Sequence, residues 1–367
     1  MFLNSYRVCG LQQYKNLIVT CFDKACYKRL KVSAESDKLV DTSTASSYGS
    51  RAFRNKVHWK LIMLQQAVNQ NVRVLYMDSD NILFKDPFPV LNSYNGYDFI
   101  AQRDVDICTG FIYLMPTLMT KQLLAKTIEI RPKLLNADDQ KAFNMVVQNN
   151  TSVKLLFLPD HLFSSGAVFF KKHSYYWDKI RETQIMMHDN FVIGIKNKIY
   201  RLKELKLYKL DVDGEYSNPD AKYLTIEKCN TLNELSLAVV LANRLNRSLI
   251  IPPFKCAKTR KFCTLCQFNP THCGHHILKN ARLPYKESVF FTNELVPKHI
   301  KIADQTENVI SFSQNCTNNE LLHSDFPPRA NNTNHIECQK CSMKVIDCAY
   351  NYFRNKKTSV AKLHSFI

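Results

Sequence analysis

Asp78 and Asp80 stand one residue apart at the end of an apolar run, in "NVRVLYMDSDNILFKDPFP" (residues 71–89). Two carboxylates this close repel each other unless a cation lies between them. Carboxylate oxygens suit Mg²⁺ or Mn²⁺, ions that commonly accompany diphosphates. In an open α/β sheet, ligands gather beyond the carboxyl ends of strands, and this pair falls there if the apolar run is a strand. The plainer reading is that an Asp at a strand end only caps a turn. An EF-hand loop is excluded. Counted from Asp78, its sixth and twelfth positions are Leu83 and Pro89, where Gly and Glu are needed.

A second constellation follows in "MHDNFVIGIKNKIYRLKELKLY" (187–208). His188 can complete a coordination shell begun by two carboxylates. Gly194 lets backbone approach a phosphate closely. Lys196 and Lys198 each offer a point charge to it. Taken alone, His188 is more often a surface or satisfied core histidine; taken with Asp78 and Asp80, the balance shifts. A dehalogenase-type phosphatase also opens with a strand and Asp-x-Asp, the first Asp being its nucleophile, and Asp138-Asp139 would mimic its second metal site. That motif usually continues to Thr or Val where Ile82 stands.

The elements that must position these groups are legible in part. "FRNKVHWKLIMLQQAVNQ" (53–70) places Val57, Leu61, Leu64 and Val68 on one helical face. "VRVLYM" (72–77) is apolar on both faces, and a helix leading into such a strand suggests a parallel α/β sheet. "NLIVTCFD" (16–23), "YDFIAQ" (97–102), "GFIYLM" (110–115) and "VKLLFLP" (153–159) read as further strands. "TKQLLAKTIEI" and "DDQKAFNMVVQ" (138–148) read as helices, the latter with Asp at its start. A turn-rich stretch, "DVDGEYSNPD" (211–220), suggests a boundary, with one domain over 1–212 and another over 213–367. In the second, "NTLNELSLAVVLANRLNRSLIIPPF" gives a helix and then a strand.

Composition narrows the partners. The 367 residues carry 50 Lys and Arg against 32 Asp and Glu, a formal net charge of +18, which suits either a solvated basic surface or an anionic substrate. No compact Lys/Arg run or nucleic-acid motif is present, so a nucleic-acid partner is not expected. No apolar run approaches the roughly 18 residues of a membrane span. "FLNSYRVCG" after Met1 has neither the basic region nor the cleavage site of a signal peptide. Yet there are 13 cysteines, nine of them after residue 228, and sequons at Asn149, Asn246, Asn315 and Asn331. Both suit a secretory lumen. The expectation is a chain whose targeting segment and membrane anchor lie outside this sequence. "CTLC" (263–266) and "CQKC" (338–341), with His272, Cys273, His275 and His276 between, could bind zinc. Their wide separation makes disulfides the simpler expectation.

Five segments then occur in a telling order: "LYMDSDNILFKDPFP", "TGFIYLMPT", "DDQKAFN", "LPDHLFSSG" and "HDNFVIGIKNKIYRLKELKLY". The set resembles the nucleotide-diphospho-sugar transferases, which include plant extensin arabinosyltransferases and pectin xylosyltransferases. The likeness covers roughly residues 10–210. "LANRLNRSLIIPPFKC" and "KESVFFTNELVP" resemble the C-terminal region of the arabinosyltransferase branch, extending it to about residue 300. The resemblance implies a GT-A-like, Rossmann-type mixed sheet with helices on both faces, followed by a Cys-rich α/β region. It also implies a UDP-linked sugar donor, Mn²⁺ or Mg²⁺, a glycan or glycoprotein acceptor, transfer with retention, and a type II protein of the Golgi lumen. Pentoses are the favoured sugars, with galactose a further candidate.

By the same likeness, Asp78, Asp80 and His188 hold the metal, with Asp78 also near the ribose. Gly194 and Lys198 meet the diphosphate, with Lys196 a substitute. Asp139 and Gln140 face the donor sugar, although Asp139 reads equally as a helix N-cap. Two departures stand out. Cys108 replaces the Asn usual before Thr-Gly-Phe, and the family's first strand has no counterpart, so the chain reads as truncated at its N-terminus. An inactive glycan-binding member is therefore the alternative function.

Overall fold

The computed structural model describes residues 2–14, 16–19, 49–171, 182–191, 194–208, 210–226, 232–251, 254–255, 262–263, 285–306, 309–314, 333–338, 350, 353–354 and 360–366. The chain divides into two compact units, Met1–Ile193 and Gly194–Ile367, ahead of the turn-rich stretch at 211–220.

In the first unit, α1 (Phe2–Val8) precedes α2 (Arg51–Asn69), β1 (Val74–Met77), β2 (Asn81–Leu83), α3 (Phe88–Leu91), β3 (Phe99–Arg103) and β4 (Ile107–Leu114). Next come α4 (Leu118–Ile130), α5 (Asp139–Gln148), β5 (Leu155–Phe157), β6 (Phe163–Ser165), α6 (Gly166–Lys171) and β7 (Met186–His188). The helices start where the sequence supplies caps. Ser50, Thr117 and Asp138 accept hydrogen bonds from Phe53, Thr120 and Lys141 backbone N–H groups, opening α2, α4 and α5.

The main sheet has the order β1-β4-β3-β5. Here the expectation of a parallel neighbour for β1 is corrected: β4 lies antiparallel to both β1 and β3, and within this sheet only β3 and β5 run parallel. The reason is the short turn at Asp104–Asp106, where Asp104 N–H donates to Asp106 O at 2.8 Å. It sends β4 back along β3, and β4 then inserts beside β1. "NLIVTCFD" is likewise corrected over residues 16–19, which belong to no strand, while 20–23 lie outside the described residues.

Two hydrophobic layers flank this sheet. On one face Leu61, Leu64 and Val68 of α2, Leu123 and Leu124 of α4 and Phe143 of α5 pack on Phe99, Ala101, Ile112 and Leu114. On the other, Ile100, Phe111 and Tyr113 pack against Leu83, Phe163 and Met186 of a smaller sheet ordered β2-β7-β6, with Tyr6 of α1 and Leu91 of α3 at its border. The alternation along β3 and β4 thus serves two cores, which is why both strands are buried on both faces.

The second unit opens with α7 (Ile195–Glu204) and a 3-10 turn at Val212–Gly214. It continues with β8 (Tyr223–Ile226), α8 (Leu232–Leu245), β9 (Ser248–Ile250), β10 (Phe254–Lys255), β11 (Phe262–Cys263) and β12 (Tyr285–Lys286). It closes with α9 (Lys298–Thr306), β13 (Val309–Gln314), β14 (Thr333–Cys338) and β15 (Val360–Phe366). Six strands form one sheet, β12-β9-β8-β15-β13-β14, with every pair parallel. The helix and strand expected over "NTLNELSLAVVLANRLNRSLIIPPF" are α8 and β9. Tyr216, Tyr223, Phe290, Ile300 and Val360 share a core. Beside it Glu215 pairs with Lys203 and with Lys286 at 3.1 Å.

Cys266, Cys341, His272, Cys273, His275, His276 and any disulfides of that region fall outside the described residues, as do the side chains of Cys263 and Cys338. Among the described residues, no helix is long and apolar enough to cross a membrane.

Candidate metal and donor site

The Asp-x-Asp turn joins the two sheets of the first unit. Asp78 follows β1, and its backbone N–H donates to Gly110 O at 2.8 Å. Asp80 precedes β2, whose antiparallel pairing with β7 sets Asn81 opposite His188. Asp189 N–H donates to Asp80 O at 3.0 Å, which locks the turn against the end of β7. The side chains therefore converge. His188 Nε2 lies 3.3 Å from Asp80 Oδ1 and 3.9 Å from Asp78 Oδ2. One ligand atom from each of the three residues lies within 4.8 Å of the others.

Two features fit this set to a divalent cation. The donors are two hard oxygens and an imidazole nitrogen, a set able to hold a divalent cation. The floor is Gly110, where a Cβ would stand 2.4 Å from His188 Cε1 and 2.6 Å from Asp78 Oδ2. Only glycine leaves the three ligands room to close on one point. Burial opposes charge on His188, but its hydrogen bond to Asp80 outweighs that and holds the imidazole well above its ordinary pKa.

Behind the turn lies a buried ion pair that sequence reading missed. Lys60 of α2 is 5% exposed and pairs with Asp139 at the start of α5. Its Nζ also donates to Thr109 Oγ1 at 3.2 Å and Thr109 O at 3.3 Å, and lies 4.0 Å from Asp78 Oδ1. Burial disfavours this ammonium, yet Asp139 first and Asp78 second raise its pKa above the ordinary lysine value. Thr109 Oγ1 donates to Asp139 Oδ2 at 2.8 Å, and Tyr76 OH donates to Asp78 Oδ1 at 2.7 Å. A signal was available: Lys60 shares the helical face of Leu61 and Leu64 that points inward.

The cap expected at Asp139 falls one residue earlier. Asp138 is the N-cap, and Asp139 is buried against Lys60. Gln140 Oε1 accepts from Thr109 N–H at 3.1 Å, and its side chain also bonds Asp104. Asp104 itself is raised in pKa by burial, with His188 opposing, and Asn190 Nδ2 reaches its Oδ2 at 3.5 Å. Asp104, Asn190 and Gln102 were not singled out from sequence, because polar residues in loops and strands carry no local mark of what they face.

Asp78, Asp80, His188, Asp139 and Gln140 thus all belong to the first unit. Gly194, Lys196 and Lys198 belong to the second. Gly194 precedes α7 with φ 94°, in the region that favours glycine, and Lys198 N–H donates to Gly194 O at 3.2 Å.

The sequence matches the family of nucleotide-diphospho-sugar transferases over residues 12–202. It is 27% identical over 223 residues to "UDP-D-xylose:L-fucose alpha-1,3-D-xylosyltransferase 3" of Arabidopsis thaliana, covering 53% of this chain and 57% of that protein. It is 22% identical to "UDP-galactose:fucoside alpha-3-galactosyltransferase" of Dictyostelium discoideum, covering 51% of this chain and 34% of that one. It is 24% identical to "Arabinosyltransferase XEG113" of Arabidopsis thaliana, over 58% and 41%. The chain spans about half the length of the xylosyltransferase it matches, and less of the other two.

Proposed function

The chain belongs to the nucleotide-diphospho-sugar transferase family, and on that premise we propose that it moves a sugar from a UDP-linked donor to a glycan or glycoprotein. Family membership sets aside the dehalogenase-type phosphatase. The observation that carries the reading is the convergence of Asp78, Asp80 and His188 over Gly110. A divalent cation held there, Mn²⁺ or Mg²⁺, would offset the charge that develops on a departing nucleoside diphosphate. Xylose, arabinose and galactose are the donor sugars to test first, because relatives are named for them. Fucose-bearing acceptors come first for the same reason.

The protein's own groups have separable tasks in this proposal. Tyr76 orients the Asp78 carboxylate by its hydrogen bond. Lys60 neutralises Asp139 and, with Thr109, occupies its Oδ2. A carboxylate held this way is a poor nucleophile and a good fixed acceptor, so Asp139 and Gln140 orient donor hydroxyls instead of bonding covalently to the sugar. Retention then proceeds by attack from the leaving-group face. The α-linked products in the names of the relatives, set beside the α linkage of such UDP-sugars, support retention. Gly194 and Lys198 are assigned to the diphosphate on the sequence pattern alone. We propose the Golgi lumen as the compartment, where the exposed Asn149 and Asn246 would be glycosylated.

The test is UDP release across a panel of UDP- and GDP-sugars, with and without Mn²⁺. Metal-dependent release from one sugar is expected, reduced at least 100-fold in Asp80→Ala. A normal rate in that variant sinks the metal role. No release by the folded protein from any sugar supports the inactive, glycan-binding alternative.

A further inference from the structure

A coordinating histidine has two nitrogens, and which one meets the metal depends on what holds the other. At His188 the holder is Gln102. Its pairing partner on β4 is Cys108, because the β3–β4 register shifts between Ala101 and Gln102. Before the shift Ala101 pairs with Ile112; after it Gln102 pairs with Cys108, so Thr109, Gly110 and Phe111 bulge from the ladder. Bulges of this kind re-aim side chains beside functional sites. Here the bulge turns Gly110 O toward the Asp78 and Asn81 donors and sets Gln102 and Cys108 side by side. Both reach the same atom: Gln102 Oε1 lies 3.2 Å, and Cys108 Sγ 3.4 Å, from His188 Nδ1.

The orientation of the Gln102 amide is not arbitrary. Gln102 is completely buried, and its other terminus lies 3.1 Å from Phe163 O. A backbone carbonyl only accepts, so that terminus must be the NH₂. The oxygen therefore faces His188. A carbonyl oxygen also only accepts, so the hydrogen bond to Gln102 needs the ring proton on Nδ1. Nε2 is left as the one nitrogen able to offer a lone pair, and it faces Asp80 and Asp78.

We propose that Gln102 is a positioning residue for the cation site, fixing His188 with Nδ1 protonated so that Nε2 is its metal ligand. The inference rests on the reading of Asp78, Asp80 and His188 as a metal site. It also accounts for Cys108: the thiol, also buried, fills the space behind Nδ1 as a second weak partner and leaves the coordinating side unchanged.

The test needs no sugar substrate. Calorimetric titration with Mn²⁺ and Mg²⁺ compares the wild-type chain with Gln102→Met and Gln102→Glu. Glutamate in its protonated form keeps an acceptor for Nδ1–H and an O–H for Phe163 O, and methionine offers neither. Gln102→Met should bind metal 10- to 100-fold more weakly, the usual cost of losing an outer partner of a ligating histidine, while Gln102→Glu stays within about threefold. Nitrogen-15 shifts of His188 in the Mg²⁺-saturated protein, identified by its loss in His188→Gln, should show a protonated Nδ1 and a coordinated Nε2. Unchanged affinity in a folded Gln102→Met, or a coordinated Nδ1, overturns the proposal. If Gln102→Met fails to fold, the wild-type nitrogen shifts decide alone. Absence of metal binding by the wild-type chain overturns both this inference and the metal reading. Metal binding with the expected shifts but no UDP release leaves this inference standing and sinks only the transfer reaction.

Discussion

Replacing Lys60 by Met should be the most informative single change outside the three candidate metal ligands. Methionine keeps much of the apolar stem, so packing along α2 is nearly conserved and the charge is what disappears. Asp139 is 5% exposed, and without Lys60 it keeps the Thr109 hydroxyl and the weaker pull of the Arg131 charge. Breaking one side of a buried pair costs about 3–5 kcal/mol, chiefly because the remaining charge is left uncompensated. Asp78 adds little. At 4.0 Å its attraction to Lys60 would be about 4 kcal/mol at an effective dielectric of about 20, but its side chain is 37% exposed and water screens most of that.

The assay is a urea melt followed by tryptophan fluorescence, with Trp59 next to Lys60 on the same helix. A loss of that size lowers the midpoint of the first unit's transition by roughly 1–1.7 M if its slope is about 3 kcal/mol/M. Two comparisons isolate the cause. Asp139→Asn added to Lys60→Met should recover at least about 2 kcal/mol, because it removes the stranded charge. The deficit of Lys60→Met alone should also shrink as pH falls, because an unpaired buried carboxylate takes up a proton readily. A cost below about 1 kcal/mol for Lys60→Met, or no recovery in the double variant, would refute the idea that Lys60 neutralises Asp139.

Three further outcomes are expected. Gly110→Ala should cost about 1–3 kcal/mol by overpacking and weaken Mn²⁺ binding at least tenfold, since the new methyl meets His188 and Asp78; calorimetry beside a thermal melt reads both. Asp138→Ala should cost about 1 kcal/mol through the lost cap of α5, measured as a lower melting temperature, while metal affinity stays unchanged. In the second unit, burial raises the pKa of Glu204 against the opposing hydrogen bonds from Ser288 and Tyr200. The folded state then holds this proton more tightly than the unfolded one. Its contribution to stability is complete below the ordinary glutamate pKa of about 4.3 and fades as pH rises through the raised value. Glu204→Gln should flatten that decline in urea melts taken between about pH 4 and 8.

Much of the scaffold was legible because its signals are local. The apolar stripe Val57, Leu61, Leu64 and Val68 needs only the helical period to be read; Leu61, Leu64 and Val68 are buried on the inward face of α2, while Val57 is half-buried. Asp138 opens α5 by a hydrogen bond to its own next turn, as its place at the start of the segment suggests. The Asp78–Asp80 turn is conspicuous because two like charges adjoin an apolar run. His188 could be joined to that pair only through the ordered family segments, since nothing near residue 188 states what it faces.

Pairing decided the rest, and pairing is not written in any one segment. Strand direction followed from the turn at Asp104–Asp106, which made β1 and β4 antiparallel where the helix before β1 suggested parallel. The bulge that brings Gln102 and Cys108 to one nitrogen is a property of two strands together. Lys60 stands on an apolar helical face, where a charge without its partner looks like an exception. The partner, Asp139, begins another helix, and only packing α2 and α5 on the same sheet face makes a neutral, buried pair of the two. The sequence by itself determined which residues carry charge, ligating atoms and caps. The tertiary structure decided which of them meet, because burial strengthens a charge interaction only between groups that the fold has already placed in contact.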